Sequence, residues 1–305
     1  MGVDVSICIA TYRRPTGLAR LLDSLGRLKL PIGIRREFIV VDNDRDASAA
    51  LIVRSRSDSL RPIQYCVEPR RNIALARNLS VSKASGEWIL FIDDDEVADG
   101  NWISAYLELI ESEHCDGAFG PVLPRFEVPG SGWIDLDCFF AMCRHPTGTV
   151  LGCADLRTGN AIVRRRLFEN CRFDPSFGRT GGSDSEFFDR MLAAGARFLW
   201  CDEARVEEFV APERRRLGWL ARRAFRGGLV YTRVAQLKNP AGSVARAMRA
   251  VVQLCGFAVL IPLAAFGGQR ALVRVVLRMC TQAGHLWALM GRSYEEYGAG
   301  FSTGR

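Results

Sequence analysis

The stretch Trp88-Ile89-Leu90-Phe91-Ile92-Asp93-Asp94-Asp95-Glu96 decides how this chain is read. An uninterrupted apolar run of this length suits a strand buried on both faces. It stops abruptly in four carboxylates. Like charges this close raise one another's energy, and a cation relieves them. A divalent metal that takes oxygen ligands and bridges two phosphates is the natural one. Asp93 and Asp95 stand two apart, so they share a face if the strand continues and can both reach one ion if it turns. A solvated acidic turn has the same local sequence, so the tetrapeptide alone leaves both readings open.

Working outward, the pattern repeats. Val3–Ala10 reads as a strand, ending in the turn Thr11-Tyr12-Arg13-Arg14-Pro15, where Pro15 suits a helix start. Leu18, Leu21, Leu22 and Leu25 recur at helical spacing. Glu37–Asp42 is a second strand, Ile63–Glu68 a shorter third, Asn72–Ser85 a helix closed by Gly86, and Glu87–Ile92 the fourth strand. This β-α-β alternation with short loops predicts a Rossmann-like, mostly parallel sheet of the α/β class with ligands at the strand carboxyl ends. Polar clusters fall at those ends: Thr11–Arg14, Asp42–Asp44, Arg70–Asn72 and Asp93–Glu96. Such a layout calls for a nucleotide or phosphate ligand. Further on, Asn101–Glu113 and Asp184–Gly195 read as helices, the second with Phe187, Phe188, Met191 and Leu192 on its apolar side. Phe198–Cys201 reads as a strand, and Ala204–Phe209 as a further one; residues 114–155 show no regular pattern.

Composition narrows the class. The 305 residues are 48% hydrophobic and 25% charged, so the chain has a real core. The net charge of +7 is uneven: residues 205–305 carry 16 Lys/Arg against 5 Asp/Glu, and residues 1–204 carry 25 against 29. No acidic residue occurs from Arg214 to Tyr294, which points to an anionic surface, nucleic acid or membrane. The ten cysteines form no CxxC pair and read as free thiols in a reducing compartment. The chain opens directly on a strand, so no signal peptide is expected. Three histidines at unrelated positions give no zinc spacing. Arg214–Arg226 is a basic helix with interleaved Trp219 and Phe225, and Val251–Phe266 is apolar apart from Gln253 and Pro262. That run is shorter than the roughly 20 residues a bilayer span needs, so residues 214–291 are expected to be amphipathic helices on, or dipping into, a membrane. A helical cap packed on the sheet is the plainer alternative.

Several segments, in order, resemble a large inverting glycosyltransferase family with the GT-A fold, family 2. They are Ile9–Pro15, Val40-Val41-Asp42-Asn43, Asn72–Asn78, Phe91–Asp95, Thr158-Gly159-Asn160 and Gly181-Gly182-Ser183-Asp184-Ser185-Glu186. Within the family the succinoglycan-type exopolysaccharide glucosyltransferases are most similar, through Glu208 and Trp219–Gly228. The family resemblance spans roughly residues 3–228; with the change of character at Arg214, a catalytic domain is expected over 1–213 and a membrane-associated helical appendage over 214–305. The resemblance implies a nucleoside-diphosphate sugar donor, a UDP-sugar such as UDP-glucose, bound by Thr11, Arg13, Asp42, Arg77, Asp93 and Asp94. Asp95, with Asp93, would hold Mg²⁺ or Mn²⁺, which neutralises the departing diphosphate. Inversion needs a base to deprotonate the acceptor hydroxyl, and Asp184 matches the family's base. Ser183 stands where a Glu is commoner, Glu186 is the second candidate base, and a plain helix-capping role for Asp184 is the alternative. Asn160, Glu208, Arg222 and Arg223 are expected to meet acceptor or phosphate, arginine through its planar fork.

The expected activity is therefore a non-processive hexose transfer to a lipid-linked saccharide at the cytoplasmic membrane face, in exopolysaccharide or glycolipid assembly. Three rivals compete. A sugar nucleotidyltransferase would want a Gly-rich phosphate loop, which Thr11–Pro15 is not. A nucleic-acid module built on 214–226 would bind salt-dependently, but the strand-end carboxylates would repel a polyanion, and no nucleic acid is expected. An inactive sugar-nucleotide sensor would have no need of Asp93, Asp95 and Asp184.

Overall fold

The computed structural model describes residues 4–127 and 136–292. Val3 and the tail 293–305, parts of an expected strand and of the expected appendage, lie outside the described residues. Contacts divide the chain into two units. The first holds Met1–Arg125, Met142–Arg179 and Ser183–Phe209, and the second Phe126–Ala141, Thr180–Gly182 and Val210–Arg305.

In the first unit the strands are β1 (Val5–Thr11), β2 (Arg36–Asp42), β3 (Ile63–Val67), β4 (Trp88–Asp93), β5 (Glu96–Ala98), β6 (Gly117–Phe119), β7 (Val122–Arg125), β8 (Ala161–Arg164), β9 (Phe198–Trp200) and β10 (Val206–Phe209). The helices are α1 (Pro15–Leu25), α2 (Ala50–Arg54), α3 (Ile73–Lys83), α4 (Trp102–Ser112) and α5 (Ser183–Ala193). A seven-stranded sheet runs β3-β2-β1-β4-β8-β6-β9, and a three-stranded one β5-β10-β7. β1 to β4 are mutually parallel, whereas β8 pairs antiparallel with both β4 and β6. The reversal of β8 was not legible from the segment around Ala161, too short to betray its direction.

Alternation along the strands explains the layers. Ile7, Ile9, Phe38, Val40, Leu90 and Ile92 face one side, packed with Leu18, Leu22 and Trp102 of α1 and α4. Cys8, Ile39, Val41, Ile89 and Phe91 face the other, packed with Ala74 and Ala76 of α3 and Phe187 and Phe188 of α5. Both faces are covered, which is why these strands read as continuous apolar runs. The parallel strands place Thr11, Asp42 and Asp93 at the same sheet edge.

The second unit is built on α6 (Leu217–Lys238), α7 (Ser243–Phe266) and α8 (Gln269–Leu289). Leu136, Phe140, Val210, Leu220 and Val273 form its small core, which is why a segment from the unpatterned 114–155 region groups with the C-terminal helices. Arg215 grips Asp137 with two hydrogen bonds of 2.8 Å. Helices α6 and α8 touch through glycines. A Cβ at Gly228 would lie 2.1 Å from the Thr281 carbonyl oxygen, and one at Gly284 1.9 Å from that of Phe225. Next to this crossing the Thr232 hydroxyl meets His285 Nδ1 at 2.8 Å. Gly284→Val would push the backbones apart, so thermal unfolding should show a loss of about 1–3 kcal/mol or more.

Among the described residues one helical stretch, Pro240–Phe266, is long and apolar enough to cross a membrane by length and composition. The apolar run Val251–Phe266 was thus only the visible part of a longer helix, which continues through Pro262.

Candidate active site

The acidic turn lies where β4 ends and β5 begins, held by a hydrogen bond of 3.0 Å from the Phe209 N–H at the end of β10 to the Asp95 carbonyl. Its four carboxylates have different environments. Asp93 is surrounded by protein, yet 46% of its side-chain surface is open to solvent. Burial pushes its carboxyl up to about 7; the charges of Asp95, Asp94 and Asp184 act in the same direction, and Arg77 opposes them. Water reaching the group tempers that shift. Asp94 is buried, accepts a hydrogen bond of 2.8 Å from Thr11 Oγ1, and pairs with Arg14 at 2.9 Å. Burial raises its pKa and Arg14 draws it back. Asp95 is partly open and meets the same Arg14 nitrogen at 3.0 Å. Glu96 is buried, accepts the Asp93 backbone N–H at 2.9 Å, and is held well above the carboxylate range by burial and by Asp93.

Two further elements close on this turn. Arg77, on α3, donates to Ser183 Oγ at 3.0 Å and approaches Asp93 at 3.9 Å. Asp184, in the first turn of α5, accepts the Ser185 N–H at 2.9 Å and lies near enough to Asp93 for their charges to repel. A helix N-terminus favours negative charge. The helix is anchored by stacked rings, Phe187 on Phe173 at 4.3 Å and Phe187 on Phe168 at 5.1 Å, and by Phe188 edge-on to Phe119 at 4.9 Å. Position thus passes from the aromatic core to Asp184.

A divalent cation fits the donor set. Five acidic side chains, Asp93, Asp94, Asp95, Glu96 and Asp184, act on one another here. Gly159 leaves the approach clear, since a Cβ there would stand 2.9 Å from Glu96 Oε1 and 3.1 Å from Asp93 Oδ2. Among the described residues no three such side chains form a ready-made metal cage. The pattern suits Mg²⁺ or Mn²⁺ held by one or two carboxylates plus substrate phosphate.

Several expected site residues have other work. Asn160 is 1% exposed with all its side-chain bonds made: Oδ1 accepts from Trp102 Nε1 and the Tyr106 hydroxyl, both at 2.7 Å, and Nδ2 donates to the carbonyls of Pro121 and Ala204. It pins loops together and has no polar atom left for acceptor or phosphate. Asp42 is fully buried and accepts from the Ala49 N–H at 2.7 Å, the Tyr65 hydroxyl at 2.8 Å and the Asp44 N–H at 3.1 Å, so it secures the loop after β2 instead of facing a nucleoside. Thr11 and Asp94 face each other, inside the frame of the site. Glu186, the second candidate base, is buried and paired with Arg190. Glu208 is placed opposite Glu96 in the β5–β10 ladder and adds to the acidic field there. Arg222 and Arg223 belong to the helical unit, where Arg223 lies over the rings of Trp219 and Phe140.

Arg13 turns away from the acidic turn: its φ is +51°, and its guanidinium binds Asp44 at 2.7 Å and Asp46 at 3.0 Å. The Arg13 hydrogen bond holds the Asp44 carboxyl below the usual range. That contribution to stability is present above the unfolded pKa, ~3.9, and is lost as pH falls through the lower folded value. Arg13→Ala should therefore move the acid unfolding transition to higher pH, measured by circular dichroism across a pH series.

Arg14 is the residue the sequence did not single out; nothing in Tyr12-Arg13-Arg14-Pro15 says which guanidinium turns toward the carboxylates. Removing it from buried Asp94 should cost about 1–3 kcal/mol. Thermal unfolding of Arg14→Gln should show that loss in metal-free buffer and recover part of it with Mn²⁺.

Comparison with known proteins bears on this geometry. The model of glycosyl transferase family 2 matches residues 6–172. The succinoglycan biosynthesis protein ExoM of Rhizobium meliloti is 33% identical over 97% of this chain and 96% of its own length. The chain belongs to glycosyl transferase family 2. Among solved structures, the mannosyltransferase PcManGT of Pyrobaculum calidifontis, in complex with GDP-Man and Mn²⁺, superimposes with a TM-score of 0.67 at 17% identity, over 96% of this chain and 88% of that one. Residues 1–349 of S. aureus TarS, in complex with UDP-GlcNAc, give 0.55 at 16% identity over 98% of both chains. The chain spans 55% of a longer TarS structure. The first unit of this family 2 glycosyltransferase is a GT-A fold, with C-terminal helices following it.

Proposed function

We propose that the chain is an inverting, metal-dependent, non-processive hexosyltransferase. It moves a sugar, with glucose from UDP-glucose the leading case, to a hydroxyl of a lipid-linked saccharide during exopolysaccharide assembly at the cytoplasmic membrane face. The observation that carries the reading is the meeting of Asp184 and Arg77 with the open carboxylate Asp93, beside Asp95. ExoM, by its name a succinoglycan biosynthesis protein, supports the pathway. The nucleotide sugars and Mn²⁺ bound to the solved relatives support the donor and the metal.

In this mechanism Asp184 takes the proton of the acceptor hydroxyl. The acceptor oxygen attacks the anomeric carbon from the side opposite the diphosphate, the bond to the diphosphate breaks, and the anomer inverts. Asp95 and Asp93 would hold a divalent cation, whose charge stabilises the diphosphate as it departs. Arg77 keeps Ser183, and with it the start of α5, in line with Asp93. Glu208 is a further oxygen donor beside Glu96.

The test is calorimetric titration of the purified chain with UDP-, GDP- and TDP-sugars, with and without Mn²⁺. The anomeric configuration of any product is then read by NMR. Metal-dependent binding of one nucleotide with an inverted product is the expected result. A folded protein that binds none of them, or a retained anomer, would overturn the reading.

A further inference from the structure

Helix α7 carries an apolar face that nothing in its own unit covers. Val244, Met248, Val252, Val259, Leu263 and Phe266 fall on one stripe along it and are each between 60% and 91% exposed. The opposite stripe, marked by buried Ala250 and Ala264, packs inward. By length and composition α7 could cross a bilayer. Its partner argues otherwise. Helix α8 returns from the Gly267-Gly268 turn with Arg270, Arg274 and Arg278 one turn apart on one side. The Arg278 guanidinium lies 5.7 Å from the centre of the Phe257 ring, at the middle of the uncharged stretch 250–266. A crossing α7 would carry Arg274 and Arg278 into the hydrocarbon beside it, an expensive place for charge. A helix in the plane of the interface keeps its apolar stripe in the acyl boundary and its arginines among headgroups.

We propose that the α7–α8 hairpin lies in the plane of an anionic bilayer surface and does not cross it. The occupant of the apolar stripe is lipid, because the neighbouring helix α8 carries three arginines and no acidic residue between Arg214 and Tyr294 would repel a negative headgroup. Charge complementarity and apolar exposure coincide on the same two helices. The inference rests on the membrane setting proposed above and makes it specific: both ends of α7 stay on one side.

The experiment uses the full chain expressed in bacteria, with Cys255→Ser and Gln269→Cys, and Gly267→Cys as a second probe of the same turn. A membrane-impermeant maleimide is applied to spheroplasts and to inside-out vesicles, and labelling is read by peptide mass spectrometry. Labelling of the turn in inside-out vesicles with protection in spheroplasts is the expected result. The converse would establish a crossing hairpin and overturn the proposal. Recovery in the soluble fraction, or protection in both preparations, would also overturn it, the latter by pointing to a protein partner on the stripe. With purified protein, Arg274→Ala combined with Arg278→Ala should weaken binding to phosphatidylglycerol vesicles roughly 30-fold; unchanged affinity would remove the anionic lipid from the proposal. Neither assay reads transfer. Asp95→Asn should fractionate as the wild type does, so a failed membrane face and a failed donor site are told apart.

Discussion

Replacing Asp184 with Asn should lower kcat by about two to four orders of magnitude, the usual contribution of a positioned base. Donor binding should stay within about twofold of wild type, because base removal acts on the reacting hydroxyl and not on ground-state contacts. The substitution is nearly isosteric. The amide oxygen can still accept the Ser185 N–H, and the stacked rings beneath α5 are untouched. Initial rates and calorimetry on one preparation would separate the two effects. A loss of less than about tenfold would remove Asp184 from the role of base. Glu186 would not inherit it, since it is committed to Arg190.

Asp95→Asn should reduce transfer by about 10²–10³-fold, the scale expected when stabilisation of developing charge is lost. Unlike most losses of function it should leave the metal-free protein as stable as before, or more so. The pair it breaks with Arg14 is partly exposed and worth little, whereas the charge it removes adds to the repulsion felt by Asp93 and Asp94. Ligand-linked stability should vanish in the same variant. At about 100 times Kd, Mn²⁺ with nucleotide stabilises a single-site protein by about 2.7 kcal/mol, and thermal unfolding should show that gain for the wild type alone. A variant that keeps the gain would remove Asp95 from the metal site. One that unfolds early without metal would show the carboxylate to be structural.

The expected site residues whose side chains the structure engages within its own frame share a physical cause. Asn160, Asp42 and Thr11 stand at strand ends and in family motifs, as ligand-binding groups do, but polar groups there are also what a buried loop needs to satisfy its backbone. Asn160 answers to Trp102, Tyr106, Pro121 and Ala204, partners far away in sequence. Nothing local distinguishes an amide aimed at such partners from one aimed at a substrate. The choice between Arg13 and Arg14 was equally out of reach, because it turns on one residue with positive φ. The placement of Arg77, Asp93 and Asp184 near one another was legible because each sits at the start, end or face of an element whose period is written in the apolar pattern.

Local chemistry along the chain, then, was enough for the alternation of strands and helices from β1 to β4, the sheet edge that gathers polar side chains, and the acidic turn after Ile92. Those features follow from apolar periodicity and turn residues, which act over a few positions. Tertiary structure alone decided which carboxylates stay open and which are spent on the frame, that Arg14 compensates Asp94 and Asp95, that β8 runs against its neighbours, and that Arg278 sits beside Phe257 midway along α7. Each of those depends on groups far apart in sequence being brought within a few ångströms, where burial and Coulomb interactions become large enough to determine what a side chain can do.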